Sequence, residues 1–148
     1  MSSALDDIFA TNKTTEEDGA WVNLTPTIRL KIRAFNAKVV TDLREKLMKP
    51  YVLLQRSGQK IPDETSDDIG LKVIAGGVLS DWDGIESEGV EADEETGQNE
   101  VAPAPIAYSA DEAYAVLKRL PRLANFVVGI STDAQFYKDE VLAGAVKN

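Results

Sequence analysis

A chain of 148 residues with 43% apolar side chains has material for one hydrophobic core, which excludes wholesale disorder and leaves room for one domain with a loose arm. Its net charge of −9 opposes nucleic acid as a main partner, because phosphate binding draws on cationic surface. Cysteine and histidine are both absent, which removes disulfides, thiolate chemistry, the usual zinc sites and the commonest general base.

Residues 2–19 are small, polar and acidic, with Leu5, Ile8 and Phe9 as a short apolar cluster. Composition predicts a flexible N-terminal arm over 1–19. The alternative is a short motif that folds on a partner, since those three residues have helical spacing. Met1 to Lys13 lacks a basic region followed by an apolar run, so no signal peptide is expected. No apolar stretch approaches the roughly 20 residues of a membrane span.

From Trp21 to Leu54 the chain carries seven of its sixteen lysines and arginines. Trp21–Leu24 and Thr27–Phe35, joined by Thr25-Pro26, predict a β-hairpin. In the second run Ile28, Leu30 and Ile32 alternate with Arg29, Lys31 and Arg33, the period of a half-buried strand with a cationic outer face. Asn36 is placed to cap a helix from Ala37, whose apolar face is Val40, Leu43, Leu47, Tyr51 and Leu54. Pro50, lacking an N–H, bends or ends that helix near Lys49.

A second helix is expected from Pro62-Asp63, with Asp63 as its cap and an apolar stripe running from Ile69 through Trp82. Gly76-Gly77 inside it costs roughly 1 kcal/mol each in propensity, which close approach of a neighbouring helix, or a bend, would explain. Glu86 to Pro105 is acidic and nearly free of apolar residues; it reads as a flexible loop or linker over 86–106, with an acidic docking strip as the alternative. Ser109 and Glu112 form a capping box before a helix with Ala113, Val116, Leu117 and Leu120 on its inner side. Pro121 opens another helix, in which Leu123, Phe126, Val127, Ile130, Ala134, Tyr137, Val141 and Ala145 keep helical spacing. Gly129 and Ser131-Thr132-Asp133 are where it would split in two.

The fold class expected is α+β: mainly a helical bundle with a small N-terminal β-hairpin. Residues 20–85 supply the hairpin and first helices, and 107–148 pack on them as one domain. Little chemistry is available. Asp81-x-Asp83-Gly84 opens like a calcium loop, but its glycine comes too early and position 92 is Ala where an acid is needed. Gly76-Gly77 lacks the context of a phosphate loop, and Ser109 has no histidine partner. No catalytic residue, metal or cofactor is expected.

Several pieces, in order, resemble the tail assembly chaperones, or minor tail proteins, of long-tailed phages. They are Trp21 before Ile28-Arg29-Leu30-Lys31-Ile32-Arg33, the helix through Leu47 to Lys49-Pro50-Tyr51, the run Leu79-Ser80-Asp81-Trp82-Asp83-Gly84-Ile85, and Tyr108-Ser109-Ala110-Asp111-Glu112-Ala113 opening the last helices. The match covers roughly residues 20–140. The segment Glu86–Glu100 is longer and more acidic than the pattern. The resemblance implies a non-enzymatic protein of the host cytoplasm that binds the tape-measure protein, keeps it soluble and helps recruit tail-tube subunits. It implies neither nucleic acid nor membrane as a partner. A groove built from Val40, Leu43, Leu47, Tyr51 and Trp82, with Arg29, Lys31 and Arg33 steering at its rim, is the expected partner surface. The bland alternative is that these apolar stripes face one another in a closed core. The competing function is a structural tail or connector subunit retained in the virion.

Overall fold

Alternation between Leu30, Ile32 and the flanking cations does produce a strand, and it sits at the centre of a sheet. In the computed structural model, which describes residues 4–138, strand β2 (Arg29–Ile32) lies between β1 (Ala20–Asn23) and β3 (Leu79–Asp83), antiparallel to both. Val22 pairs with Leu30 and Leu30 with Trp82, so the pleat turns all three toward the helices and buries them. A register shift between Lys31 and Ile32 lets Ile32 pair with Leu79. Both are fully enclosed, each worth about 1.5–3 kcal/mol of burial. The molecule is thus α+β, helices dominating, with a three-stranded rather than a two-stranded sheet.

Around the sheet run α1 (Ala4–Phe9), α2 (Lys13–Asp18), α3 (Lys38–Met48), α4 (Val52–Arg56), α5 (Asp63–Val73), α6 (Ala110–Arg119) and α7 (Pro121–Ser131). A short 3₁₀ turn, Lys49–Tyr51, separates α3 from α4 at Pro50, as the missing N–H requires. Another, Ala134–Tyr137, follows α7 after the break at Thr132-Asp133. Val141 and Ala145, expected on the last helix, lie outside the described residues.

Three local expectations are corrected. Asn36 does not cap α3; the exposed N–H of Lys38 is taken instead by the carboxylate of Glu17, at 3.0 and 2.9 Å, across the turn from α2. Asp63 is the first residue inside α5, with Pro62 in the cap position. The helix expected to run through Trp82 stops much sooner. It ends at Val73, widens into one π-helical turn over Ile74–Val78 and leaves as β3. Gly76-Gly77 is the reason. A Cβ on Gly77 would stand 3.3 Å from Leu43 Cδ2 and 3.4 Å from Val40 Cα, so the bare backbone lets α3 approach closely. The wider turn frees carbonyls that other elements collect. Arg33 N–H donates to Val78 O at 2.7 Å and its guanidinium to Gly77 O at 2.9 Å. The Tyr108 hydroxyl stands 2.7 Å from Ala75 O and 2.6 Å from Leu79 O, donating its single proton to one or the other.

The first nineteen residues hold α1 and α2, and α2 is tied down. Asn12 caps it by accepting from Thr15 N–H, and Ala34 N–H donates to Glu16 O. Residues 86–105 fold back as an irregular antiparallel arm bridged at Glu86–Pro105, Val90–Val101 and Asp93–Gln98, with its carboxylates exposed. Ser109 Oγ accepts from Glu112 N–H at 3.1 Å, the first half of the capping box. The core joins Val40 of α3, Ile69 and Val73 of α5, Val116 and Leu117 of α6 and Val127 and Ile130 of α7 beneath the sheet.

Candidate partner-docking groove

The residues expected to receive a partner fall into three places. Val40 and Trp82 are core: Val40 is wholly enclosed, and Trp82 meets Tyr108 edge-on while its indole N–H donates to Ile106 O at 2.7 Å. They cannot line a docking surface. Leu43, Leu47 and Tyr51 are half-buried, Leu43 against the two glycines and the others against the core. The cations are engaged within the sheet. Arg29 pairs with Asp83 at 3.3 Å and stacks over Trp21 at 4.5 Å, with Lys31 beside the same ring at 6.0 Å. Arg33 holds Gly77 O and Glu17 O. The structure therefore does not bring the eight residues together on one open face.

It opens a different one. At the hairpin end of the sheet, Leu24 and Ile28 of the β1–β2 connection stand opposite Ile85, which follows β3. Across from them lie Leu120, at the break between α6 and α7, and Leu123 and Phe126 on the first turns of α7. Between these walls is a groove of about 740 Å³, floored by Leu30 and Val116. Leu24, Leu120 and Phe126 are about 40% exposed, a high value for large apolar side chains gathered in one place. The lip carries Arg119, Arg122 and Glu86. Arg119 is paired with Glu88 at 2.9 Å; no ion pair engages Arg122 among the described residues.

The groove has this shape for local reasons. Leu120, with a non-helical backbone, ends α6, and Pro121 starts α7 at a position where its missing N–H costs nothing. That break turns Leu120 outward and leaves Leu123 half-buried at the edge of the core, while Val116 and Val127 stay inside it. On the other wall Gly84 takes φ +85°, and its bare Cα packs against Thr27. A signal for the groove existed in the sequence. Leu123, Ala124, Phe126, Val127, Val128 and Ile130 are too many apolar positions for one buried helix face.

A second, polar hollow lies between α5 and α6, bordered by Tyr51, Asp68, Tyr114 and Lys118. Asp68 accepts from Tyr114 and pairs with Lys72 at 2.9 Å. The Tyr114 hydroxyl first, and then Lys72, hold the Asp68 carboxyl below its usual range, and Asp68 in turn raises Lys72. A carboxylate stabilised in this way staples two helices and makes a weak base. Among the described residues no group of three or more carboxylates is placed to hold a metal ion, and no helix is long and apolar enough to cross a membrane.

The family model of the YdaY prophage protein matches residues 35–148, well over half of the chain and everything from α3 onward. No curated protein and no solved structure matches it. The matched part includes the α6–α7 wall of the groove and Ile85, whereas the hairpin wall precedes it. The phage origin expected from the sequence holds at that level: this chain belongs to the YdaY prophage protein family.

Proposed function

We propose that the protein is a tail assembly chaperone that acts without covalent chemistry, covering an apolar helix of the tape-measure protein in the host cytoplasm and helping tube subunits reach it. The observation carrying this reading is the open apolar groove between the hairpin turn and the α6–α7 break, with a cationic lip. Phage membership and the resemblance to tail chaperones support the choice of partner. A tape-measure protein is a long chain of apolar-striped helices, insoluble alone, and one stripe presents side chains at i, i+3, i+4 and i+7 to such a groove. Each square ångström of apolar surface covered contributes about 25 cal/mol, so a few anchoring side chains suffice for transient protection. The chain's net charge of −9 helps keep the complex soluble.

Co-expression with the tape-measure protein tests the proposal. The wild-type chain should raise the soluble fraction of that partner several-fold. Phe126→Asp, which places a charge on an exposed groove wall, should lose the effect while folding normally. Leu53→Asp alters a residue 78% exposed on α4, away from the groove, and should keep it. Unchanged partner solubility with the wild-type chain would sink the proposal.

A further inference from the structure

Three charged side chains border the groove, Glu86, Arg119 and Arg122. Arg119 is already neutralised by Glu88. Glu86 and Arg122 take part in no ion pair among the described residues, although they are opposite in sign. They stand on different walls. Glu86 follows Ile85 on the sheet side, where the backbone is held on both flanks: Glu86 bridges to Pro105, and Ile106 N–H donates to Ile85 O at 2.9 Å. Arg122 is the second residue of α7, on the helical side.

Folding does not account for a cation at that place. The first turn of a helix is the positive end of its dipole, where a positive side chain is unfavourable. Helix α7 has no acidic residue in that turn and no side-chain cap to offset it. The two free charges therefore face each other across the mouth, with Leu30 and Val116 as an apolar floor between them. Such a cross-section is complementary to one kind of helix. It has an apolar stripe down the middle, a carboxylate on one flank and a cation on the other, much as charges beside a coiled-coil seam select its partner.

We propose that the occupant of the groove is an amphipathic helix flanked by unlike charges, its carboxylate against Arg122 and its cation against Glu86. This rests on the docking function proposed above and narrows it: the stripe supplies affinity, and the flanks decide which helix is taken. A stripe bordered by like charges sets one of them against its own sign on a rim. The net charge of −9 does not produce the same preference, because it draws any cationic helix and so favours lysines on both flanks.

Fluorescence anisotropy with the full chain and three labelled peptides tests this. The peptides, of about 18 residues so that a helix can hold, share one leucine stripe and differ only beside it. One has glutamates on one flank and lysines on the other, one has glutamates on both, and one has lysines on both. The wild-type chain should bind the mixed peptide about fivefold tighter than either of the others, the factor that one well-placed exposed ion pair supplies. Arg122→Glu makes both rims acidic and should move the preference to the all-lysine peptide. Glu86→Lys should move it to the all-glutamate peptide. The two substitutions together should restore the mixed preference, with a far-ultraviolet spectrum like that of the wild type. Phe126→Asp should weaken all three peptides alike. Equal binding of the three, or a wild-type chain that takes the all-lysine peptide best, overturns the proposal and leaves the groove as a helix site. If none binds at about 1 mM, the weak end of specific association, the groove receives no helix and both proposals fall. A chain that dimerises without peptide, and loses the dimer in Phe126→Asp, holds a second copy in the groove, which also overturns the proposal.

Discussion

Gly84 joins β3 to Ile85 and so holds one wall of the groove against the hairpin turn. Its φ of +85° belongs to the left-handed region, where a Cβ costs about 1–2 kcal/mol. The larger effect is steric. A Cβ built there lies 1.9 Å from Thr27 O, 2.9 Å from Thr27 C and 3.2 Å from Ile28 Cα. All three are backbone atoms of the turn before β2, so no side-chain rotation relieves the clash. Forced overpacking of this kind adds about 1–3 kcal/mol, and Gly84→Ala should therefore lose about 2–5 kcal/mol. For a domain of this size that lowers Tm by roughly 5–15 °C. Gly58 provides the control: φ is +82°, but nothing lies within 4 Å of its Cβ position. Gly58→Ala should cost only the conformational part, about 1–2 kcal/mol. Thermal unfolding followed by circular dichroism measures both. If the two variants melt within about 1 °C of each other, less than 1 kcal/mol of clash is present and the proposed packing of Gly84 on Thr27 is wrong.

Two further outcomes follow from the tyrosines. Tyr108→Phe leaves Ala75 O and Leu79 O without their shared donor where the π-turn passes into β3, and should cost about 1–3 kcal/mol in urea unfolding at an unchanged m-value. Tyr137 is the largest fully enclosed side chain, and burial pushes its phenol above the ordinary 10.0. The folded chain then keeps a proton that the unfolded chain releases. Stability from this group is complete below pH 10.0 and declines as pH rises beyond it, by up to about 1.4 kcal/mol per pH unit. In Tyr137→Phe that part of the alkaline decline should vanish; identical slopes from urea titrations at pH 9–11, roughly the span around a free tyrosine, would exclude the buried-phenol account.

The period-two pattern of Ile28 to Arg33 identified the central strand because one face was buried and the other was not, the condition under which alternation is legible. Pro50 and Pro121 marked their breaks for an equally local reason. Strand β3 was hidden. Ile69 to Trp82 is apolar at nearly every helical position, and a short apolar run reads alike as buried helix or buried strand. What decides it is tertiary: α3 lies so close to Gly76-Gly77 that the helix widens there, and β2 has an open edge to receive Leu79–Asp83. The cap of α3 was equally invisible, since Glu17 reaches Lys38 N–H from a separate helix. For the groove, apolar spacing on α6 and α7 named Leu120, Leu123 and Phe126 but could not say which would lack a partner.

The basic cluster of the second strand is largely used within the molecule. The cluster Arg29, Lys31 and Arg33 is conspicuous in the sequence, and each member has work inside the molecule: Arg29 with Asp83 and Trp21, Lys31 beside Trp21, Arg33 on the carbonyls that the π-turn releases. A guanidinium that holds backbone carbonyls keeps its charge, but it cannot also make a direct bidentate pair with a partner's carboxylate without releasing them. Exposed pairs such as Arg29–Asp83 are worth under about 1 kcal/mol, so they neither stabilise much nor advertise a site. Apolar surface is the better guide, because an uncovered Leu or Phe in a group forgoes more free energy than a solvated charge does. By that measure the groove under the hairpin, where Leu24, Leu120 and Phe126 are each about 40% exposed, is the better candidate surface among the described residues.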